Sequence, residues 1–172
     1  MKKLIIIING RGGSGKDTFC EAVGKRWSVM NVSSITPIKE LALLIGWDGE
    51  KDPRGRLLLS RLKEAMTDYS DLPNRYLLKE YENFLSGDSC VMFVHIREQS
   101  EMDRFRQGVD LPCRTLLVTM PSLDGTVYGN PSDDLADSLA YDYTFVNDGP
   151  LDGFEDRACV FFTSLLKKEG IC

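Results

Sequence analysis

Gly10, Gly12, Gly13, Ser14, Gly15, Lys16, Asp17 and Thr18 form the stretch of this chain best fitted for chemistry. Glycines let successive backbone N–H groups turn inward and approach an anion with no Cβ in the way. A helix beginning near Ser14 adds unsatisfied N–H groups and the positive end of its dipole. Lys16 brings a mobile full charge suited to the β- and γ-phosphate oxygens of a polyphosphate. The spacing G-x-x-x-x-G-K is met by Gly10, Gly15 and Lys16. The next residue is Asp17, and the hydroxyl follows one place later, at Thr18. A hydroxyl directly after the lysine normally ligates Mg²⁺. Asp17 can replace it as a harder, anionic ligand, directly or through water, which makes Asp17 and Thr18 the candidate metal residues.

Such a loop needs a strand before it and a helix after it. Leu4-Ile5-Ile6-Ile7-Ile8 is an apolar, β-branched run of strand length, and Phe19 to Val23 opens a pattern of helical period. The pattern predicts a helix from Ser14 to near Trp27 and a second strand over Val29–Ser34. A helix should start at Thr36-Pro37, where proline suits the first turn. Gly46 to Gly55 reads as a turn-rich break, Leu57 to Tyr69 as an amphipathic helix, and Leu72 to Leu85 as another. Residues 36–86 are thus a helical block between the second and third strands. Cys90–Val94 is the third strand, Glu98–Gln107 a helix, Arg114–Thr119 the fourth strand, Tyr141–Val146 the fifth and Leu151–Lys168 the closing helix. Pro121 to Leu139 is a lid-like, loop-rich excursion. Alternating apolar strands and helices imply a single α/β domain over residues 1–172, a five-stranded parallel sheet covered on both faces. Ligands then belong at the carboxyl ends of the strands.

Composition narrows the class. With 172 residues, 42% apolar and 27% charged, the chain has the make-up of an ordinary soluble domain. The apolar run after Met1-Lys2-Lys3 is too short for a signal peptide, and no stretch reaches the length of a membrane span. Cys20, Cys90, Cys113, Cys159 and Cys172 are odd in number and widely spaced, which reads as reduced thiols in a cytoplasmic protein. The net charge is −5, and all Lys and Arg lie outside Pro121–Asp156. No basic stripe with interleaved aromatics marks a nucleic-acid partner. A monomer or weak homodimer is expected.

Four segments resemble a known family. G-R-G-G-S-G-K-D-T resembles the S-G-K-D loop of phage deoxynucleoside monophosphate kinases and animal-type phosphomevalonate kinases. Thr36 to Ala42 resembles their D-P-x-K-E segment, Val94-His95-Ile96-Arg97 to Glu101 their D-x-R-x-x-x-E stretch, and Tyr141 to Gly149 the N-x-G ending of adenylate-kinase-like folds. The resemblance implies a three-layer P-loop NTPase fold with a helical acceptor-binding insertion, using ATP and Mg²⁺. It implies that Lys16 holds the transferring phosphate and that Asp17 and Thr18 serve the metal. Lys39 and the following helices would line the acceptor site, Arg97 would clamp a phosphate, and Asn147 and Asp148 would shape the adenine-side loop through backbone contacts. At two places the chain departs from the pattern: His95 stands where the family has Asp, and the lid-like region is acidic and has no arginine.

Each further candidate has a plainer alternative. A planar fork of donors suits Arg97 for phosphate, or it pairs with Glu101 four residues on. His95, the one histidine, is read first as structural and second as a contact to the γ-phosphate or a water. Lys39 either reaches the acceptor or is helix surface. Among Arg54, Arg56, Arg61, Lys63 and Arg75, one or two should meet an acceptor phosphate, with Arg61 and Arg75 ranked first. Arg97 and Arg104 lie seven apart and face the same way at helical spacing, whereas Arg106 is turned aside. The acidic excursion, lacking bases, is expected not to touch phosphate. The function so indicated is transfer of a phosphoryl group from ATP to a small phosphorylated acceptor, a (deoxy)nucleoside monophosphate first. The alternatives are a kinase of dephospho-coenzyme A or phosphomevalonate type, a nucleotide-binding protein with little turnover, or a hydrolase.

Overall fold

An unbroken apolar strand has no polar face to offer water, so it must lie where both faces are covered. The first strand, β1 (Leu4–Asn9), does so. It is the middle of a five-stranded parallel sheet completed by β2 (Val29–Ser33), β3 (Val91–His95), β4 (Cys113–Thr119) and β5 (Tyr143–Val146), in the order β2-β3-β1-β4-β5. The structure, a computed structural model, describes residues 2–50, 52–124 and 138–171. Six α-helices are described: α1 (Lys16–Gly24), α2 (Thr36–Leu44), α3 (Pro53–Ser70), α4 (Leu72–Ser86), α5 (Gln99–Gln107) and α6 (Phe154–Glu169). The three-layer α/β architecture expected from the sequence is the one observed. Most of the lid-like excursion, residues 125–137, lies outside the described residues, as does Cys172.

Alternation along β1 divides the core in two. Leu4, Ile6 and Ile8 pack with Phe19 and Val23 of α1 and with Phe162, Leu165 and Leu166 of α6. Ile5 and Ile7 point the other way, against Leu77 and Phe84 of α4 and Met102 and Phe105 of α5. A small third cluster, Ile38, Ala42 and Leu59, joins α2 to α3 and gives the helical block an apolar centre of its own. Phe19, three residues past Lys16, fixes the start of α1 to the sheet. Its ring centroid is 5.0 Å from that of Phe145 and meets Phe93 and Phe162 edge-on at 6.2 and 6.4 Å. Such pairs add about 0.5–1.5 kcal/mol each beyond the area they bury.

Several element ends differ from the expectation for local reasons. Helix α3 starts at Pro53 because Asp52 caps it, its Oδ1 accepting from the Gly55 N–H at 2.6 Å. Strand β5 starts at Tyr143, two residues late. The Asp142 carboxylate there accepts from the Thr115 N–H at 2.8 Å and takes the place of a ladder partner. Helix α6 starts at Phe154, entered through a left-handed Gly153, and leaves Leu151 exposed. Helix α1 ends at Gly24, short of Trp27, whose ring instead packs on Phe162 at 5.2 Å. No helix among the described residues is long and apolar enough to cross a membrane.

The helical block is tied to α5 by a largely buried ion pair. Lys63 Nζ donates to Glu101 at 2.7 Å and lies 3.6 Å from Glu98. The expected alternative partner of Glu101, Arg97, precedes α5 and so has no i,i+4 relation to it within a helix. Burial pushes the Glu101 carboxyl up, and Lys63 pulls it back. Removing the lysine leaves burial unopposed. A carboxyl whose folded pKa is raised binds its proton longer when folded, so stability falls as pH rises from the ordinary glutamate value toward the folded one. Lys63→Met should therefore cost about 3 kcal/mol at neutral pH, and its deficit against the parent should shrink as pH falls toward about 4. Denaturant unfolding at the two pH values measures this; an equal deficit at both would remove the assigned role.

Candidate active site

The carboxyl ends of β1 and β3 lie side by side, Ile8 in register with His95, and everything that follows these two strands converges there. The chain leaves β1 through Asn9, which is fully buried. Asn9 Nδ2 donates to the Arg97 carbonyl at 3.1 Å and to the Tyr141 hydroxyl at 2.9 Å, while its Oδ1 accepts from the Gly10 N–H at 2.8 Å. One amide thus fixes the exit of β1 and the exit of β3. The loop then turns at Gly10 (φ 147°), Gly13 (φ 80°) and Gly15 (φ 98°), torsions that glycine adopts readily. A second buried amide, Asn147 just past β5, donates from Nδ2 to the Ser14 carbonyl at 3.2 Å. A Cβ on Gly15 would stand 2.9 Å from that nitrogen, so the buttress needs a glycine there. Asn147 thus also contacts the glycine loop through its side chain.

Lys16 opens α1 and folds back over the loop, its Nζ 2.5 Å from the Gly10 carbonyl and 2.9 Å from that of Arg11. Ser14 Oγ is buried and has no hydrogen-bond partner among the described residues. A loop with backbone N–H groups at a helix start, an ammonium laid across it and an orphaned hydroxyl has the donors that a nucleotide polyphosphate needs. The group fits.

Asp17 and Thr18 are consecutive in α1 and so diverge by about 100° around the axis. The Asp17 side chain is 84% exposed, with Oδ1 3.9 Å from His95 Nδ1. Thr18 lines a hollow of about 180 Å³ between α1 and α6, with Ala22, Lys25, Leu151 and Phe154. Asp17 thus lies in solvent beside His95, and Thr18 lies at the hollow between α1 and α6. An exposed carboxylate beside the loop is a sound anchor for a hard cation, which keeps most of its shell as water and phosphate.

His95 is at the centre of the charged groups. Its Nε2 lies 2.7 Å from Asn31 Oδ1 in the middle of β2 and 3.8 Å from Cys20 Sγ. Burial drives its pKa down to about 4; Asp17 opposes this, and the positive charges of Lys16, Arg97 and Lys39 lower it further. At neutral pH the imidazole is uncharged, so its approach to Asp17 is not an ion pair. The positive charges of Lys16, Lys39 and Arg97 are thus all felt at a neutral ring, and a positive field of this kind attracts a polyanion. Arg61 and Arg75 stand exposed on α3 and α4. Arg104 is engaged from α5 with Asp71, 3.4 Å away, at the left-handed corner between α3 and α4. Asn9, Asn31 and Asn147 were not singled out for these roles from sequence. The one available signal was that Asn9 and Asn31 interrupt apolar strands.

No protein-family model matches the chain, and no curated protein sequence matches it. Solved structures do. TT1252 from Thermus thermophilus aligns over 97% of this chain and 98% of its own, at 19% identity and a TM-score of 0.53. A candidate kinase from Chloroflexus aurantiacus aligns over 99% and 98%, at 16% identity and a TM-score of 0.54. Shikimate kinase from Bacteroides thetaiotaomicron shares 15% identity at a TM-score of 0.47, over 95% and 98%. The chain shares the fold of TT1252 and of the candidate kinase. At these identities the likeness is one of fold.

Proposed function

We propose that the chain transfers the γ-phosphoryl group of ATP, with Mg²⁺, to a small phosphorylated acceptor, a (deoxy)nucleoside monophosphate first. The observation that carries this is the glycine loop with Lys16 laid across it, where β1 and β3 end together. In-line phosphoryl transfer needs positioning and charge neutralisation more than covalent help. The glycine loop and Lys16 bind and orient the triphosphate. Lys39, in the first turn of α2, and Arg97, just past β3, face the side from which an acceptor phosphate enters. Asp17 holds the cation, which when bound neutralises charge on the phosphate oxygens. Arg61 and Arg75 supply long-range attraction from the helical block, and Arg104 braces its corner.

The test is a panel of nucleoside monophosphates, dephospho-coenzyme A and phosphomevalonate, each given ATP and Mg²⁺ and read as ADP release. Release that depends on one monophosphate supports the reading. Release without any acceptor selects a hydrolase, and nucleotide binding without release selects a binding protein. Within the reading, Arg97→Ala should slow transfer by about 10²-fold, the scale for losing one preorganised donor to a charged transition state. Arg61→Ala, at an exposed position on α3, should cost far less. Equal losses in steady-state kinetics would contradict the placement of Arg97.

A further inference from the structure

The space between His95 and Asp17 holds two electron-pair donors that face each other. Asn31 Oδ1, an acceptor, sits 2.7 Å from His95 Nε2, so Nε2 carries the proton and the neutral ring presents its lone pair at Nδ1. Asp17 Oδ1 is 3.9 Å from Nδ1. Neither atom can donate to the other. Something electron-poor belongs between them. Two cis ligands on one octahedral divalent ion at about 2.1 Å stand about 3.0 Å apart. The exposed Asp17 side chain is free to close from 3.9 Å to that spacing. The geometry points to His95 Nδ1 and Asp17 as a nitrogen–oxygen pair that takes the nucleotide's divalent cation and favours Mn²⁺ over Mg²⁺.

Three features support the pair, which rests on the nucleotide-binding reading above. A ligating imidazole is commonly oriented by an oxygen acceptor on its other nitrogen, and Asn31 supplies one. The ring is held in place, its side chain only 16% exposed, while Asp17 is 84% exposed and can adjust to the ion. Lastly, Mg²⁺ prefers oxygen ligands, whereas imidazole suits first-row transition metals, so one nitrogen shifts the preference toward the latter. Asp17 with phosphate oxygens would leave the choice near neutral; His95 tips it.

The sole histidine of the chain makes a direct test possible. Untagged protein with Mn²⁺ and the non-hydrolysable analogue adenosine 5′-(β,γ-imido)triphosphate is studied by pulsed electron paramagnetic resonance. The expected result is a nitrogen coupling to Mn²⁺ that changes when histidine is supplied as ¹⁵N. His95→Gln should lose it. In competition, the Mg²⁺ concentration that displaces half of the Mn²⁺ should be about tenfold lower for His95→Asp than for the parent. Folding of each variant is checked by its melting curve, and the isotope experiment on the parent needs no variant. Binding of Mn²⁺ and nucleotide without histidine coupling overturns the assignment and leaves the nucleotide site standing. Absence of nucleotide binding, followed separately with a fluorescent ATP analogue and Mg²⁺, overturns both.

Discussion

Lys16→Ala should lower the rate of phosphoryl transfer by about 10²–10³-fold, the effect of removing one preorganised charge from a developing transition state. The ammonium lies across the glycine loop, 2.5 Å from the Gly10 carbonyl and 2.9 Å from that of Arg11. Those carbonyls hold it against the loop, so the charge is already there when a nucleotide arrives. Alanine removes both the charge and the strap. Lys16→Arg separates the two effects. It keeps a cation, but a planar guanidinium cannot reproduce the compact contact to two adjacent carbonyls, so it should recover binding more than rate. Stopped-flow or coupled-assay rates, with nucleotide affinity measured alongside, decide the matter. Parental turnover in Lys16→Ala would refute the assignment of the loop.

The loop was legible because its requirement is local. Glycine spacing, a lysine and flanking apolar runs are all visible within a short window, and the parallel sheet follows from strands with no polar face. What holds the loop was not legible. Asn9 and Asn147 act through partners about ninety and more than a hundred residues away, Arg97, Tyr141 and Ser14. An asparagine at a strand end looks the same in sequence whether it meets water or a distant carbonyl. The pairing of Glu101 failed to be legible for a related reason. Spacing of four suggests Arg97 only if both residues are helical, and α5 begins at Gln99. Once Arg97 lies outside the helix, Glu101 is left for Lys63 from another element. The divergence of Asp17 and Thr18, by contrast, was readable in advance, since helix geometry alone turns neighbours apart.

Gly10→Ala should be the most damaging single-methyl change in the loop, because three separate demands meet at that residue. Its φ of 147° is strained for any side chain, at about 1–3 kcal/mol. A Cβ there would sit 2.3 Å from the Val118 carbonyl oxygen and 2.8 Å from Ser14 Oγ. The first contact is with backbone of β4, the neighbour of β1, so relief means parting two buried strands. Overpacking of this kind costs about 1–3 kcal/mol more. Finally, the Gly10 carbonyl is the shorter of the two anchors of Lys16, so any shift also displaces the lysine. A combined loss on the order of 3 kcal/mol corresponds to a fall in melting temperature of about 6–12 °C for a chain of this size, with nucleotide binding lost beyond that. Gly13→Ala is the control: its φ of 80° is also strained, but its nearest neighbour is Leu123 Cδ1 at 3.9 Å. It should pay the torsional term alone, about 1–2 kcal/mol, and keep the lysine in place. Melting curves and titration with a fluorescent ATP analogue compare the two. A Gly10→Ala chain that melts and binds as Gly13→Ala does would show that β4 yields where the packing says it cannot.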